Sequence, residues 1–158
     1  MAQLFTGLVC GSAERTQDIE FTIRSMDLLW QADTQTSWDE IAARFRSLPE
    51  LTGDEEPPGL LAYAYDAAAT LYYAALYRAT GSLTDVTSCS NRALNSTGFI
   101  SDKLGDDVNR YEIELQNQIA DIALLSRVGN SARCDVIEAM RAHAQSLGRA
   151  RLAELTSR

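Results

Sequence analysis

His143 is the only histidine in the 158 residues, so imidazole acid–base or metal chemistry must be built on it. Glu138 lies five residues earlier, which on a helix turns the two side chains to different faces. Neither H-E-x-x-H nor E-x-x-H occurs, so zinc and di-iron helix-bundle sites lack their ligands. The glycine-rich phosphate loops and the G-x-S-x-G nucleophile elbow are also absent. Cys10, Cys89 and Cys134 are odd in number and far apart, with no C-x-x-C. They read as free thiols of a reducing cytoplasm rather than as a disulfide framework or zinc site. The expectation is a chain without catalytic residues, metal or cofactor, in which His143 is structural or superficial.

Asp66 is the most informative single residue. It interrupts an otherwise apolar stretch, with Thr70, Tyr73 and Tyr77 four, seven and eleven residues on, so the four share one helix face. That stripe either lines a pocket or contacts a partner, or Asp66 is a buried carboxylate paired with an arginine or hydroxyl of a neighbouring helix. Tyr63, Tyr65, Tyr72, Tyr73 and Tyr77 crowd the same segment, and tyrosine suits cores and interfaces alike. Two acidic patches fall on expected loops, Asp54, Glu55 and Glu56 in one and Asp102, Asp106 and Asp107 in the other. They are the sites expected to meet a basic partner.

The net charge of −8 is unevenly spread: residues 1–126 hold 19 acids against 8 basic groups, and residues 127–158 hold 3 acids against 6 arginines. An acidic bulk disfavours nucleic acid and anionic membrane, both polyanions, and suits a basic protein. All basic residues but Lys103 are arginine, which reads as the coding bias of a GC-rich bacterium. The first residues, MAQLFTGLVCGSAE, lack a basic flank and a long apolar run, so no secretory signal is expected.

The elements that must position these residues are helical. Leu60–Arg78 is apolar nearly all round, as a helix wrapped by others is. Its charges and length fall short of a membrane span. Gly81 closes it. Ile19, Ile23, Met26, Leu29 and Trp30 set a first helix over about Ser12–Ala32. Ser37-Trp38-Asp39-Glu40 is a capping-box sequence opening a second, which Pro49 ends. Glu50–Gly59 reads as an acidic, proline-stiffened loop. A fourth helix runs from Leu83 to Leu104 with Leu83, Val86, Ala93, Leu94, Thr97, Ile100 and Leu104 inward and a break expected near Gly98. Gly105-Asp106-Asp107 opens a fifth with Tyr111, Leu115, Ile119, Ile122 and Leu125 on its core face, and Gly129 stops it. Asn130 or Ser131 caps a last helix, amphipathic enough to pack on its own domain or on a second copy. The expectation is one all-α domain over residues 1–158, an up-and-down-like bundle of about six helices.

Three stretches resemble the YjaG-like bacterial proteins, an all-helical family of unknown function. Met26–Trp30 resembles the helix end bearing that family's Leu-Leu-Trp element. Ala62–Ala69 is similar to its tyrosine- and alanine-rich helix behind an acidic loop, and Glu112–Gln116 to a later Glu-x-x-x-Gln helix. The resemblance spans roughly Asp18 to Ser126 and implies the fold; it carries no catalytic residues. The residues together point to a non-enzymatic cytoplasmic binding protein. The first expectation is a bacterial immunity protein neutralising a basic toxin domain. The alternative is a helical adaptor or signalling module that binds a host protein or small ligand at the Asp66 stripe.

Overall fold

The computed structural model describes residues 1–11, 13–31, 35–53, 55, 57–127 and 133–157. Among these there are eight helices and no strand: α1 (Ala2–Val9), α2 (Thr16–Leu29), α3 (Trp38–Arg46), α4 (Pro49–Thr52), α5 (Leu60–Thr80), α6 (Leu83–Leu104), α7 (Arg110–Arg127) and α8 (Arg133–Thr156). The all-α expectation holds, and the count exceeds the expected six by α1 and the single-turn α4.

Helix α5 is the centre, packed on by α1, α3, α4 and α6. Its inner surface is mostly alanine: Ala64, Ala67, Ala68 and Ala75 are fully buried. Alanine is the best helix former and leaves little side chain between backbones, so neighbours approach closely. They bring the bulk, namely Leu4 and Phe5 from α1, Phe45 from α3, Leu48 beyond it and Ile100 from α6.

From α5 onward the chain runs up and down. Gly81, at φ +70°, ends α5 and donates its N–H to the Tyr77 carbonyl, and Ser82 leads directly into α6. Antiparallel pairing of α6 and α7 follows from Ser101 meeting Arg110 and Ser90 meeting Gln118. Helix α8 returns beside α7 through Arg151–Glu114 and Arg110–Glu154. Helix α1 then lies parallel to α8. A Cβ on Gly7 would fall 2.2 Å from Leu152, and one on Gly148 would fall 2.5 Å from Gln3, so two glycines make the close crossing.

Several local expectations change. The N-terminal segment is a helix whose Leu4 and Phe5 are fully buried. Residues Ser12, Ala32, Gly129, Asn130 and Ser131 lie outside the described residues, including the two expected caps of the last helix. Ser37 takes the cap position of α3 without a side-chain capping bond. Pro49 opens α4, and Glu50 is buried instead of belonging to the acidic loop. Arg15 holds Glu50 through two bonds of 2.8 Å and reaches Asp18 with its third, while Arg44 takes the other Asp18 oxygen. This four-residue cluster ties α2, α3 and α4. No break occurs at Gly98; α6 is continuous, with Thr97 and Ser101 hydroxyls bonded back to its own carbonyls. At φ +61°, Gly105 closes α6 rather than opening α7, which begins at Arg110 behind Asn109, whose side chain accepts the Glu112 N–H.

The expected inner face of α6 holds at Ala93, Leu94, Thr97, Ile100 and Leu104, which are buried, and fails in its first turns, while that of α7 fails along most of its length. Leu83 and Val86 are exposed, Leu83 by 75%, because α6 projects there beyond its neighbours' cover. On α7, Tyr111, Ile119, Ile122 and Leu125 are exposed and Leu115 is half-buried. The inward side of α7 is polar, as described below.

Deleting the Phe5 ring (Phe5→Ala) should cost about 3–5 kcal/mol, the usual loss for a buried aromatic. A urea melt checks this; a loss below about 1 kcal/mol would place Met1–Cys10 outside the cooperative core.

Candidate functional site

The Asp66 stripe runs from core to surface. Asp66 and Thr70 are buried, Tyr73 is half-buried and Tyr77 is exposed. The Asp66 side chain is fully buried and accepts from Arg92 Nη1 at 3.1 Å. Arg92 also donates to the Tyr65 hydroxyl at 3.3 Å, and its guanidinium lies 5.1 Å from the Tyr65 ring centre. Burial pulls the Arg92 guanidinium downward, but Tyr65, Asp66 and Tyr73 outweigh it and hold it above its ordinary value. The Thr70 hydroxyl donates to the Asp66 carbonyl. The pairing reading of Asp66 therefore describes it: an α5 carboxylate locked to an α6 arginine.

A different surface gathers at the end of the bundle where α5 begins and α6 ends. There a groove of about 630 Å³ is lined by Gly59, Leu60, Ala62, Tyr63, Phe99, Asp102 and Lys103. The Tyr63 hydroxyl donates to the Phe99 carbonyl and fixes the two helices side by side. Leu60 and Phe99 of this lining and the adjacent Leu61 are each 41–50% exposed. Asp102 also borders a shallower depression with Asp106, Asp107 and Asn109. The structure thus brings Asp102, Asp106 and Asp107 to one corner, next to the residues that follow the first acidic patch. Glu55 is exposed, while Asp54 and Glu56 lie outside the described residues. Asp106 is committed to Arg110, whose guanidinium it and Glu154 hold far above its ordinary value. Asp102 and Asp107 carry the exposed charge.

Sequence reasoning missed the polar seam between α7, α6 and α8. Arg151 bonds Glu114 at 2.5 Å, Gln118 donates to Glu114 at 2.9 Å, and Ser90 donates to Gln118 at 2.5 Å. A cleft of about 140 Å³ beside them is lined by Asn117, Asp121 and His143. The signal was present as a second Glu-x-x-x-Gln, Glu114 to Gln118, inside a helix read for its isoleucines. His143 is exposed at the edge of this cleft. Among the described residues no group of three His, Cys, Asp or Glu could hold a metal ion, and no helix is long and apolar enough to cross a membrane.

No protein-family model, no curated protein and no solved structure matches the chain.

Two outcomes are expected. Arg92→Met removes the cation that faces a fully buried carboxylate and should cost about 3–5 kcal/mol at neutral pH. Asp66→Asn leaves a guanidinium that is 30% exposed and can rehydrate, so it should cost less, about 1–3 kcal/mol. A buried carboxylate without that cation regains neutrality by taking up a proton, so the Arg92→Met deficit shrinks on acidification and grows as pH rises. Urea melts of both variants at acid and neutral pH test this; equal, pH-independent losses would contradict the pairing. Separately, burial pushes the Cys89 thiol up to about 11. Cys10 and Cys134 are exposed, so in the folded protein two thiols should react with a disulfide reagent on the order of a hundredfold faster than the third. Three equal rates would show that Cys89 is open to solvent.

Proposed function

We propose that this chain is a non-enzymatic binding protein that occludes a basic protein partner, and more narrowly a bacterial immunity protein that neutralises a cognate toxin. The observation that carries the reading is the groove between α5 and α6. It combines exposed Leu60 and Phe99 with Asp102 and Lys103 at its edge and Asp107 beyond, on a chain of net charge −8. An apolar centre with a charged rim is the anatomy of a protein interface. Acidic rim groups steer a basic partner into register and speed its arrival, which suits rapid neutralisation.

Unpaired cysteines at 10, 89 and 134 favour a reducing, cytoplasmic setting. The three motifs quoted above favour kinship with the YjaG-like proteins. An adaptor working through the Asp66 stripe has less support, since Asp66 is held by Arg92 and the Thr70 hydroxyl by a backbone carbonyl.

The test is capture of partners from the native cell by the tagged protein, followed by association kinetics with the captured partner. Combined Glu55→Arg, Asp102→Arg and Asp107→Arg, sparing the structural Asp106–Arg110 pair, should slow association at least about tenfold at low salt, with the gap closing at high salt. Leu60→Ala with Phe99→Ala should instead speed dissociation. A captured partner that is acidic, or on-rates unmoved by the triple reversal, would defeat the proposal.

A further inference from the structure

Helix α7 is built inside out. Glu114, Gln118 and Asp121 face α6 and α8 or the cleft beside them, while Ile113, Ile119, Ala120, Ile122 and Leu124 are exposed. None of the eighteen residues of α7 is fully buried. Isoleucine and leucine side chains in water forfeit the burial that normally justifies them. They fall in two short rows, Ile119 with Ile122 and Ile113 with Leu124, on either side of Gln116, Ala120 and Ala123, and so much exposed apolar surface on one helix marks a face that is covered in the working molecule.

The charges on this face say what covers it. Between Glu112 and Arg127 the only ionisable residues are Glu114 and Asp121, and both belong to the inner side. The outward strip therefore carries no net charge along its length; it is bounded by one acid at its start and one base at its end, both exposed, and holds Gln116, whose amide donates to one oxygen of Glu112 at 2.8 Å and leaves the other for a partner. Glu112 and Arg127 are fifteen residues apart, which is about 22 Å along the axis and about 60° around it. Their midpoint falls at Ile119 and Ala120. Ala120 and Ala123 lie between the two rows of larger side chains, where small residues let a second helix approach.

A strip with this pattern is complementary to itself in one arrangement. When two copies pack α7 against α7 antiparallel about a two-fold axis, the Glu112 of each copy meets the Arg127 of the other. Ile119 then lies near the axis. Both helix dipoles are opposed as well, which is the favourable sense. An isologous contact repeats every pair twice, so it rewards this charge placement doubly. A basic partner would gain nothing from a strip without net charge, whereas two copies of net charge −8 meet there without setting like charges against each other. The geometry points to a homodimer formed through α7, with a second copy of this chain as the occupant of the exposed face. This surface is distinct from the α5–α6 groove, and the two readings stand or fall separately.

Light scattering and sedimentation over a dilution series test the dimer on the whole chain. The expected result is a particle of twice 17.4 kDa that dissociates on dilution. Ile119→Asp should yield monomer throughout; Ile119 is 51% exposed, so the fold should survive, as circular dichroism melts would verify. Glu112→Arg alone should weaken the dimer on the order of tenfold by setting arginine against arginine twice. Adding Arg127→Glu should restore the original affinity. A wild-type chain that stays monomeric at every concentration overturns the proposal, as does a dimer indifferent to Ile119→Asp. A dimer lost in Ile119→Asp but not rescued by the double charge swap overturns the antiparallel two-fold arrangement.

Discussion

Close approach of neighbouring helices to α5 is the constraint on which the rest of the structure depends. A central helix faced with leucine would hold its neighbours at arm's length. With Ala64, Ala67, Ala68 and Ala75 inward, α1, α3 and α6 come in close and their own large side chains fill the layer. Asp66 is fully buried in this packing, so its carboxylate must be matched by a donor of the fold. Arg92 provides it, and the pair sets the register of α6 along α5. Through Tyr63 and Phe99 the same register shapes the groove at the end of the bundle. A buried ion pair adds little net stability against an apolar substitute, but it penalises every other alignment of the two helices.

The length and type of the long helices were legible because they are written redundantly. For α5, hydrophobic pattern, alanine content and Gly81 all agree, and the expected Leu60–Arg78 differs from the observed end by two residues. Agreement across levels of this kind is what makes a segment readable. Helix α1 was not legible, because eight residues containing Thr6 and Gly7 carry too few turns to show a period and too little propensity to stand alone. Its stability comes from α5 and α8, and Gly7 makes sense only once Leu152 is seen beside it.

Helix α7 shows why period is not direction. Its isoleucines do recur at helical spacing, but a face becomes the core only if a neighbour covers it. Glu114 and Gln118 find Arg151 and Ser90 across the seam, and these hydrogen bonds orient the helix with its apolar side away from the core. A periodicity argument assumes that the apolar face wins; here the polar network did. The acidic patches were legible as charge but not as geometry. Asp106 is absorbed by Arg110, whereas Asp102 borders both the groove and the neighbouring depression. Only the fold separates the carboxylate that is structural from those that face outward.

The molecule therefore presents two apolar surfaces that differ in their electrostatics. The groove between α5 and α6 is lined by one acid, Asp102, and one base, Lys103, and sits within the excess negative charge of residues 1–126. Its long-range field attracts positive partners and repels copies of the chain. The outer strip of α7 is neutral along its length and carries one charge of each sign at its ends. Its field is short-ranged and self-cancelling, so it selects by contact and not by attraction from a distance. An apolar patch alone does not choose a partner; the charges around it do. On the two proposals made above, one all-helical chain would keep a surface for an opposite-charge partner and a surface for a second copy without the two competing.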